Sequence, residues 1–312
     1  MTPHEVDISW QVLRGIARQW AGDAADVEAV TPLAGGSINT TLAVVLKDGR
    51  KAVLKITPHR VDRSYTDEAW QLALLKEAGL PVPEVYLYQL GSLDEPFSYI
   101  LMEFIEGMDL AEAKSACAAG EFEQLQIELA SYVRKLHERT HSHFQRAVGG
   151  ENVKRYEKWH ECYREFFDPI WHEVEKSGVL PVRCRKVVGK VHERLERFLT
   201  HDDCPRLLHW DLWSTNLMCH CKGDGQWHIA AFLDPHCKYG HAEAELAYLE
   251  LFHTVTPAFM KAYQQTAKLA PEYHQVRKPV YQLYSMLNDL RLFGQEYLKP
   301  TLAAIDRVGH LV

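Results

Sequence analysis

The sequence lacks the features that mark membrane and secreted proteins. Among its 312 residues, no apolar run approaches the ~18 residues that a helix needs to cross a bilayer. The first seven residues contain neither the basic stretch nor the apolar stretch of a secretory signal. We therefore expect a cytoplasmic protein without a membrane partner.

Positive charge is also scarce. The chain has 35 Lys and Arg against 42 Asp and Glu, which gives a net charge of -7. A nucleic-acid-binding protein needs a basic face for its phosphate contacts, so we expect no nucleic-acid partner.

Internal repeats and low-complexity segments are absent, which excludes a solenoid. At 46% hydrophobic and 25% charged residues, this is an ordinary globular composition, and the length suits two domains or lobes.

The cysteines do not form a recognisable framework. There are seven of them, an odd number, in a chain without an export signal, so a disulfide scaffold is not expected. One local cluster, Cys219-His220-Cys221, has ligand types that bind zinc. Its two cysteines alternate along a predicted strand and lack the spacer of a zinc knuckle. We favour reduced structural thiols and keep a zinc-stabilised interaction domain as an alternative.

The candidate catalytic and metal-binding residues lie in one stretch, residues 207–235. Two apolar runs, Leu207–Met218 and Ile229–Pro235, lie on either side of a Gly-Asp-Gly turn and predict a hairpin. The runs carry Asp211, Asn216 and Asp234. In phosphoryl transfer by protein kinases, an Asp serves as the base, an Asn five residues later binds Mg²⁺, and a later Asp binds Mg²⁺ again. The spacing here predicts those three roles in that order.

The N-terminal third predicts a sheet with helices. Apolar residues recur at helical spacing in residues 8–21, and strand-like segments follow in 27–46 and 51–56. Two more strands are predicted at 84–89 and 97–103. An acidic, glycine-containing segment comes next, so we place a lobe boundary there, between a nucleotide-binding lobe of residues 1–104 and a catalytic and substrate lobe of residues 105–312. Helices are predicted in the second lobe at 121–139, within 153–200, and at 241–252, 257–269 and 274–298.

A possible phosphate site lies in the first lobe. Its tip is Gly35-Gly36-Ser37, and glycines in a tip by themselves predict only a tight turn. Lys55 on the following strand and Glu68 on the next helix favour a phosphate-binding role for this tip. A Lys that neutralises nucleotide phosphates must be held in place, and a carboxylate on a helix can hold it by an ion pair.

Taken together, these residues resemble the aminoglycoside phosphotransferase and choline kinase superfamily, and within it the sequence is most similar to the fructosamine/ketosamine kinase family. The segments that carry the resemblance are Gly35-Gly36-Ser37-Ile38-Asn39, Val53-Leu54-Lys55, Glu68, Met102-Glu103-Phe104, Leu136-His137, residues 209–216, and the run from Asp234-Pro235 to Phe252. The resemblance implies an α+β, two-lobed protein-kinase-like fold, with an N-terminal antiparallel sheet lobe and a larger, mostly helical C-terminal lobe.

The resemblance also implies an activity and a set of roles. The activity is ATP-dependent phosphorylation of a hydroxyl group on a small molecule, with ATP and Mg²⁺ as cofactors and a fructosamine or ketosamine as the acceptor. The implied roles are Asp211 as the catalytic base, Asn216 and Asp234 as Mg²⁺ ligands, Lys55 and Glu68 at the α- and β-phosphates, Gly35, Gly36 and Ser37 over the phosphates, and the backbone of Glu103 and Ile105 at the adenine.

This chain departs from the family pattern at three positions. It has Trp210 where the family usually has Gly, Thr215 where Gly is common, and Glu245 where Asp is usual. None of these changes removes an ionisable or metal-binding group. Trp210, however, precedes the predicted base and could reshape the acceptor pocket.

Three alternatives concern the acceptor and the class of protein. An aminoglycoside or an amino alcohol resembling choline could replace the ketosamine, and the acidic pair Glu243 and Glu245 would favour a cationic acceptor. A pseudokinase that acts as a binding module would lack at least one of the four central residues. Those residues, Lys55, Asp211, Asn216 and Asp234, are all present.

Overall fold

The computed structural model describes residues 8–33, 40–58, 64–92, 97–150, 152–223 and 225–312. The helices in these ranges are α1 Trp10–Ala21, α2 Ser64–Glu77, α3 Leu110–Ala116, α4 Ala119–Glu138, α5 Trp159–Ser177, α6 Val182–Glu193, α7 Leu195–Leu199, α8 Ala242–Leu251, α9 Pro257–Tyr263, α10 Lys278–Phe293 and α11 Leu298–Val308. The strands are β1 Val27–Pro32, β2 Thr40–Leu46, β3 Lys51–Pro58, β4 Val85–Gln89, β5 Phe97–Glu103, β6 Met108–Asp109, β7 Gln145–Arg146, β8 Arg206–Leu208, β9 Leu217–Cys221, β10 Trp227–Phe232 and β11 Lys238–Gly240.

Two compact units divide the chain. One comprises Met1–Ala116 and Thr215–Pro235, and the other comprises Cys117–Ser214 and His236–Val312. We call them the sheet unit and the helical unit. The predicted lobe boundary at residue 104 concerns the functional lobes and stays a prediction.

The sheet unit contains, within its described residues, an antiparallel sheet with the strand order β1-β2-β3-β5-β4. Alternation puts apolar side chains on one face, where they pack with α1. Helix α1 begins after Ser9, whose side chain accepts a hydrogen bond from the Val12 amide. The resulting core contains Leu13, Ile16, Leu42, Val44, Leu46, Leu54, Ile56 and Leu101. Four of the five strands fall within the segments predicted from the sequence, and β3 extends two residues beyond its predicted end at Ile56.

A second sheet in the sheet unit has the order β10-β9-β6. Its hairpin differs from the predicted one, because only Leu217–Cys221 and Trp227–Phe232 form the paired strands. Residues Arg206–Leu208 instead form β8, which pairs with β11 in the helical unit. Asp211 therefore lies in the connection between two different sheets and not on a hairpin strand.

The helical unit has a core rich in aromatic side chains. On α5, Trp159, Tyr163 and Phe167 are all at most 2% exposed, as expected for aromatic residues at helical spacing. The predicted helix at 274–298 ends earlier, because Gly294 follows α10 with a positive φ of 73°. Helix α11 then begins at Leu298 and was not predicted. None of the described helices is long and apolar enough to span a bilayer.

Candidate active site

Lys55 is held between two carboxylates of the sheet unit. It lies in the middle of β3, where it pairs with Thr41 on one side and Ile100 on the other. Its Nζ donates a hydrogen bond of 2.7 Å to Oε1 of Glu68 on α2, and it also contacts the carboxylate of Asp234. Lys55 and Glu68 have side chains only 12% exposed, whereas that of Asp234 is 44% exposed. The predicted Lys55–Glu68 ion pair is present, and the more accessible carboxylate of the three-residue cluster is Asp234.

Asn216 and Asp234 lie at the same end of the β9–β10 hairpin. Asn216 directly precedes β9, and Asp234 follows β10 after one residue, because the register pairs Leu217 with Phe232. The amide of Leu233 also donates a 2.9 Å hydrogen bond to the carbonyl of Asn216. Asp234 has a φ of 53°, a conformation that Asp adopts more readily than most residues. The hairpin therefore brings together the two residues that were predicted to bind a metal.

The remaining nucleotide-binding residues are only partly described. Gly35, Gly36 and Ser37 lie outside the described residues, so the predicted tip over the phosphates stays a prediction. Glu103 ends β5, and its amide donates a 2.8 Å hydrogen bond to the carbonyl of Glu84. A nucleotide base at this position would therefore have to contact the carbonyl of Glu103 and not its amide.

In the helical unit, Asp211 is oriented by Tyr248 of α8. The Tyr248 hydroxyl donates a 2.5 Å hydrogen bond to Oδ1 of Asp211. Burial, together with the charge of Asp211, raises the pKa of Tyr248 well above its ordinary value, so the hydroxyl keeps its proton. One carboxylate oxygen of Asp211 is thereby fixed. The sequence offered no signal for this partner, because Tyr248 lies on a separate helix, 37 residues after Asp211.

The residue before Asp211 adopts an unusual backbone conformation. Trp210 has a φ of 73°, in the left-handed region that favours glycine. Its amide donates a 2.7 Å hydrogen bond to Oε1 of Glu245, and Oε2 of Glu245 lies 2.9 Å from Nε2 of His137. His137 in turn lies 2.7 Å from the hydroxyl of Tyr263. The buried Glu245 thus connects the loop that carries Asp211 to α4 and α9.

The indole of Trp210 packs in an aromatic cluster. Its ring centroid lies 5.7 Å from that of Phe166 and 5.9 Å from that of Tyr284. Nζ of Lys238 lies 4.2 Å from the Trp210 centroid and donates to the carbonyl of His236 at 3.1 Å. Burial lowers the pKa of Lys238. Trp210 itself remains partly exposed, so a molecule that reaches Asp211 can meet the indole.

Glu243 and Glu245, the acidic residues that follow Asp234 in the chain, are both engaged within the protein. Glu243 forms an ion pair with Arg277, with contacts of 2.5 and 3.0 Å, and only 5% of Glu243 is exposed. Glu245 is 1% exposed and has the partners described above. Neither carboxylate is therefore available to a cationic acceptor as the sequence suggested.

Asp289 on α10 is a candidate that sequence reasoning missed. Burial, and then the negative charge of Asp211, raises the pKa of Asp289 to about 7. A perturbed carboxyl group near a predicted catalytic base is a frequent property of functional sites. The available signal was a carboxylate within the largely apolar run from Leu283 to Leu290.

The cysteines are all free thiols. Cys219 is buried and Cys221 exposed, at alternate positions of β9. In the part of the chain that the structure describes, neither belongs to a group of three or more potential metal ligands; the group of this kind is His201, Asp203 and His241. Its two imidazole rings are stacked with centroids 3.8 Å apart, which keeps their in-plane lone pairs from converging on one ion.

Comparison with known proteins gives matches over nearly the whole chain. The family model described as fructosamine kinase matches residues 9–310. "Probable ketoamine kinase YniA" of Escherichia coli K12 is 26% identical over 307 residues, which cover 96% of this chain and 99% of that protein. "Protein-ribulosamine 3-kinase, chloroplastic" of Oryza sativa subsp. japonica is 26% identical over 311 residues, which cover 93% of this chain and 82% of that protein.

Solved structures with the same fold are also found. A protein of Haemophilus somnus 129PT, named as a fructosamine-3-kinase, superposes with a TM-score of 0.76 at 19% identity and covers 96% of this chain and 97% of its own. The aminoglycoside phosphotransferase APH(4)-Ia, in a ternary complex with ADP and hygromycin B, gives a TM-score of 0.66 at 17% identity, with coverage of 96% and 97%. The predicted α+β, protein-kinase-like fold is confirmed.

Proposed function

Because this chain belongs to the fructosamine kinase family, we propose that it transfers the terminal phosphoryl group of ATP to a hydroxyl group of a ketosamine of the Amadori type. The family membership and the kinase class predicted from the sequence are both confirmed. The particular acceptor and the roles of individual residues form the proposal, and each role is assigned from the contacts of the residue concerned.

The arrangement of Lys55 is the observation that carries the proposal. A loose phosphoryl-transfer transition state leaves the protein mainly to position the phosphates and neutralise their charge. Lys55, fixed by Glu68 at 2.7 Å, provides a cation whose position is set before the nucleotide binds. We assign to it the α- and β-phosphates, with Gly35, Gly36 and Ser37 covering them and the backbone of Glu103 and Ile105 at the adenine.

The donor atoms at the end of the hairpin fit Mg²⁺. The side chains of Asn216 and Asp234 offer an amide oxygen and carboxylate oxygens, the hard ligands that Mg²⁺ prefers. These two residues would hold the ion, which when bound would neutralise charge on the nucleotide phosphates. In the structure Asp234 pairs with Lys55, so the carboxylate that would bind the ion is already placed beside the predicted phosphate-binding cation.

Asp211 is proposed to accept the proton of the acceptor hydroxyl group. The Tyr248 hydroxyl donates to Oδ1 and fixes the orientation of the carboxylate, and the Glu245 contact to the preceding amide fixes the loop. Both contacts hold the carboxylate of Asp211 in place for the incoming hydroxyl group. Positioning of this kind is a main source of rate acceleration in phosphoryl transfer.

The test is ATP consumption with a panel of ketosamines, aminoglycosides and amino alcohols. We expect the ketosamines to stimulate turnover most. Asp211→Asn should lower kcat at least about a hundredfold, as loss of a general base does, while nucleotide affinity measured by calorimetry stays unchanged. Asp306→Asn, at an exposed position on α11, is the matched control and should retain wild-type turnover.

The same panel of acceptors also tests the alternative acceptors and the alternative that the protein is a binding module. Preferential turnover of an aminoglycoside or an amino alcohol would reassign the acceptor within the kinase class. Nucleotide binding without acceptor-stimulated turnover would indicate a binding module. If Asp211→Asn lost nucleotide binding together with turnover, Asp211 would be a structural or metal-binding residue and not the base.

A further inference from the structure

Asp289 is a partly exposed residue, and one oxygen of its carboxylate is buried without a counter-charge. Its Oδ2 is inaccessible to solvent and has no hydrogen-bond partner among the residues that the structure describes. The charged and titratable groups whose electrostatic influence links them to Asp289 are Asp211, Tyr248 and Tyr297. None of these three is a cation.

The nearby basic side chains are engaged elsewhere. Lys238 donates to the carbonyl of His236 and lies against the ring of Trp210. Arg291, two residues after Asp289 on α10, donates to Asn288 at 3.0 Å and contacts Glu173 at 3.4 Å. Across the described ranges, Asp289 forms no ion pair with either of them.

A buried polar atom without a partner is costly, and more so when the group is charged, so the buried Oδ2 of Asp289 points to a ligand. Asp289 nevertheless lies close enough to the proposed base for the charge of Asp211 to act on it. The hydroxyl of Tyr248, on which the charge of Asp289 acts, is committed to Asp211 at 2.5 Å. A positively charged group brought by the acceptor would supply the missing partner.

We propose that Asp289 determines the acceptor specificity of this enzyme by pairing with a protonated nitrogen of the acceptor while Asp211 acts on its hydroxyl group. The inference rests on the proposed function and narrows the acceptor to a hydroxylated amine that carries positive charge. It also assigns to Asp289 the electrostatic role that the sequence suggested for Glu243 and Glu245, whose carboxylates are occupied within the protein.

The first experiment compares a ketosamine that carries a basic amine with its N-acetylated, neutral analogue. Wild-type protein should use the amine with the lower KM. Asp289→Asn keeps the shape of the side chain and removes its charge. We expect it to raise KM for the amine about tenfold, leave kcat within about twofold, and change KM for the neutral analogue little, because only the ion pair is lost. Asp306→Asn is again the control.

The second experiment measures binding and does not require turnover. At pH 7, a carboxyl group with a pKa of about 7 is about half protonated, and an amine that pairs with it displaces the proton. Calorimetric titration of the wild type with the amine, in buffers of different ionisation enthalpy, should show release of about half a proton. The affinity should also increase from pH 6 to pH 8. Asp289→Asn should show no such release.

Each outcome has a distinct meaning. If Asp289→Asn leaves the preference for the amine unchanged, or if the wild type releases no proton on binding it, the inference is wrong while the kinase proposal stands. If no acceptor stimulates turnover of the wild type, the proposed function fails, and calorimetry alone then decides whether Asp289 binds the amine. Because that titration uses the wild type, a poorly folded variant does not prevent the test.

Discussion

At the scale of single residues, Trp210 combines a strained backbone with a position directly before the proposed base. A left-handed backbone conformation costs a residue other than glycine about 1–2 kcal/mol. Here the φ of 73° is maintained by the hydrogen bond to Glu245 and by the aromatic neighbours of the indole. Glycine, the usual residue at this position in the family, would avoid the cost. The indole therefore lies at a strained position directly before the proposed base, where part of it is exposed.

The raised pKa of Asp289 predicts how the free energy of unfolding depends on pH. Its ordinary pKa of 3.8 applies in the unfolded chain, and burial raises the pKa to about 7 in the folded protein. The folded state therefore binds the proton more tightly, and this contribution to stability is complete below pH 3.8 and is lost as pH rises through 7. Asp289→Asn should become more stable relative to the wild type by about 3 kcal/mol between pH 4.5 and pH 8, as measured by urea unfolding.

Comparing Asp289→Asn with the wild type at two pH values isolates the contribution of Asp289 to the pH dependence of stability. Other titrating residues are common to both proteins and cancel in the difference between them. Asp306→Asn should show no change in relative stability over the same interval. An unchanged difference between Asp289→Asn and the wild type would mean that Asp289 ionises in the folded protein as freely as in the unfolded chain.

At the scale of elements, the short strand β6 packs the segment that follows β5 against the β9–β10 hairpin. β6 pairs with β9, with Met108 opposite Cys219. Gly107 has a φ of 147°, and a Cβ atom at this position would lie 2.2 Å from the carbonyl oxygen of Cys219. Only glycine permits so close an approach between the segment that follows β5 and the strand that begins after Asn216.

We therefore expect Gly107→Ala to be strongly destabilising. The clash involves backbone on both sides, so it can be relieved only by moving β6 away from β9, and a loss of about 2–4 kcal/mol in the free energy of unfolding is expected. Gly120→Ala in α4 is the matched control, since nothing lies within 4 Å of the added Cβ. It should be neutral or stabilising by up to about 1 kcal/mol. Equal thermal stability of the two variants would show that the approach of Gly107 is not constrained.

At the scale of the whole molecule, ligand binding should be visible as stability. A non-hydrolysable ATP analogue with Mg²⁺ at about a hundred times its Kd adds about 2.7 kcal/mol, which raises Tm by about 5 °C for a chain of this size. Asp234→Asn should lose most of this increase, because it removes the proposed carboxylate ligand. Asp23→Asn, an exposed position in the same unit, should retain it.

Omission of the metal provides the complementary control. Without Mg²⁺, the increase in Tm of the wild type should fall to that of Asp234→Asn. A shift that is independent of Mg²⁺ in both proteins would contradict the assignment of Asp234 as a metal ligand, although the nucleotide would still be shown to bind.

Much of the fold follows from local pattern. The strands β1 to β5 were predictable because alternation along each strand and the turns between them are encoded in neighbouring residues. The pairing of Lys55 with Glu68 was predictable for a related reason, since a strand and the helix that follows it are adjacent in the sheet unit. The spacing of Asp211, Asn216 and Asp234 is also a property of the sequence alone.

The hairpin shows where local pattern fails. Leu207, Leu208, Leu212 and Leu217 are all fully buried, so their apolar character was read as one strand. The backbone of Trp210 interrupts that strand, and its conformation is stabilised by Glu245, which lies on a distant helix. Burial is thus encoded in residue type, whereas the sheet that a buried residue joins depends on contacts made elsewhere in the chain.

The sequence by itself determined the fold class, the kinase family and the order of the proposed site residues, because these depend on residue types at short spacing. Only the tertiary structure decided that Tyr248 orients Asp211, that Glu243 and Glu245 are occupied by internal partners, and that Oδ2 of Asp289 is buried without a hydrogen-bond partner among the described residues. Those facts depend on which side chains meet after helices far apart in sequence have packed, and on how burial changes the pKa of the groups that meet.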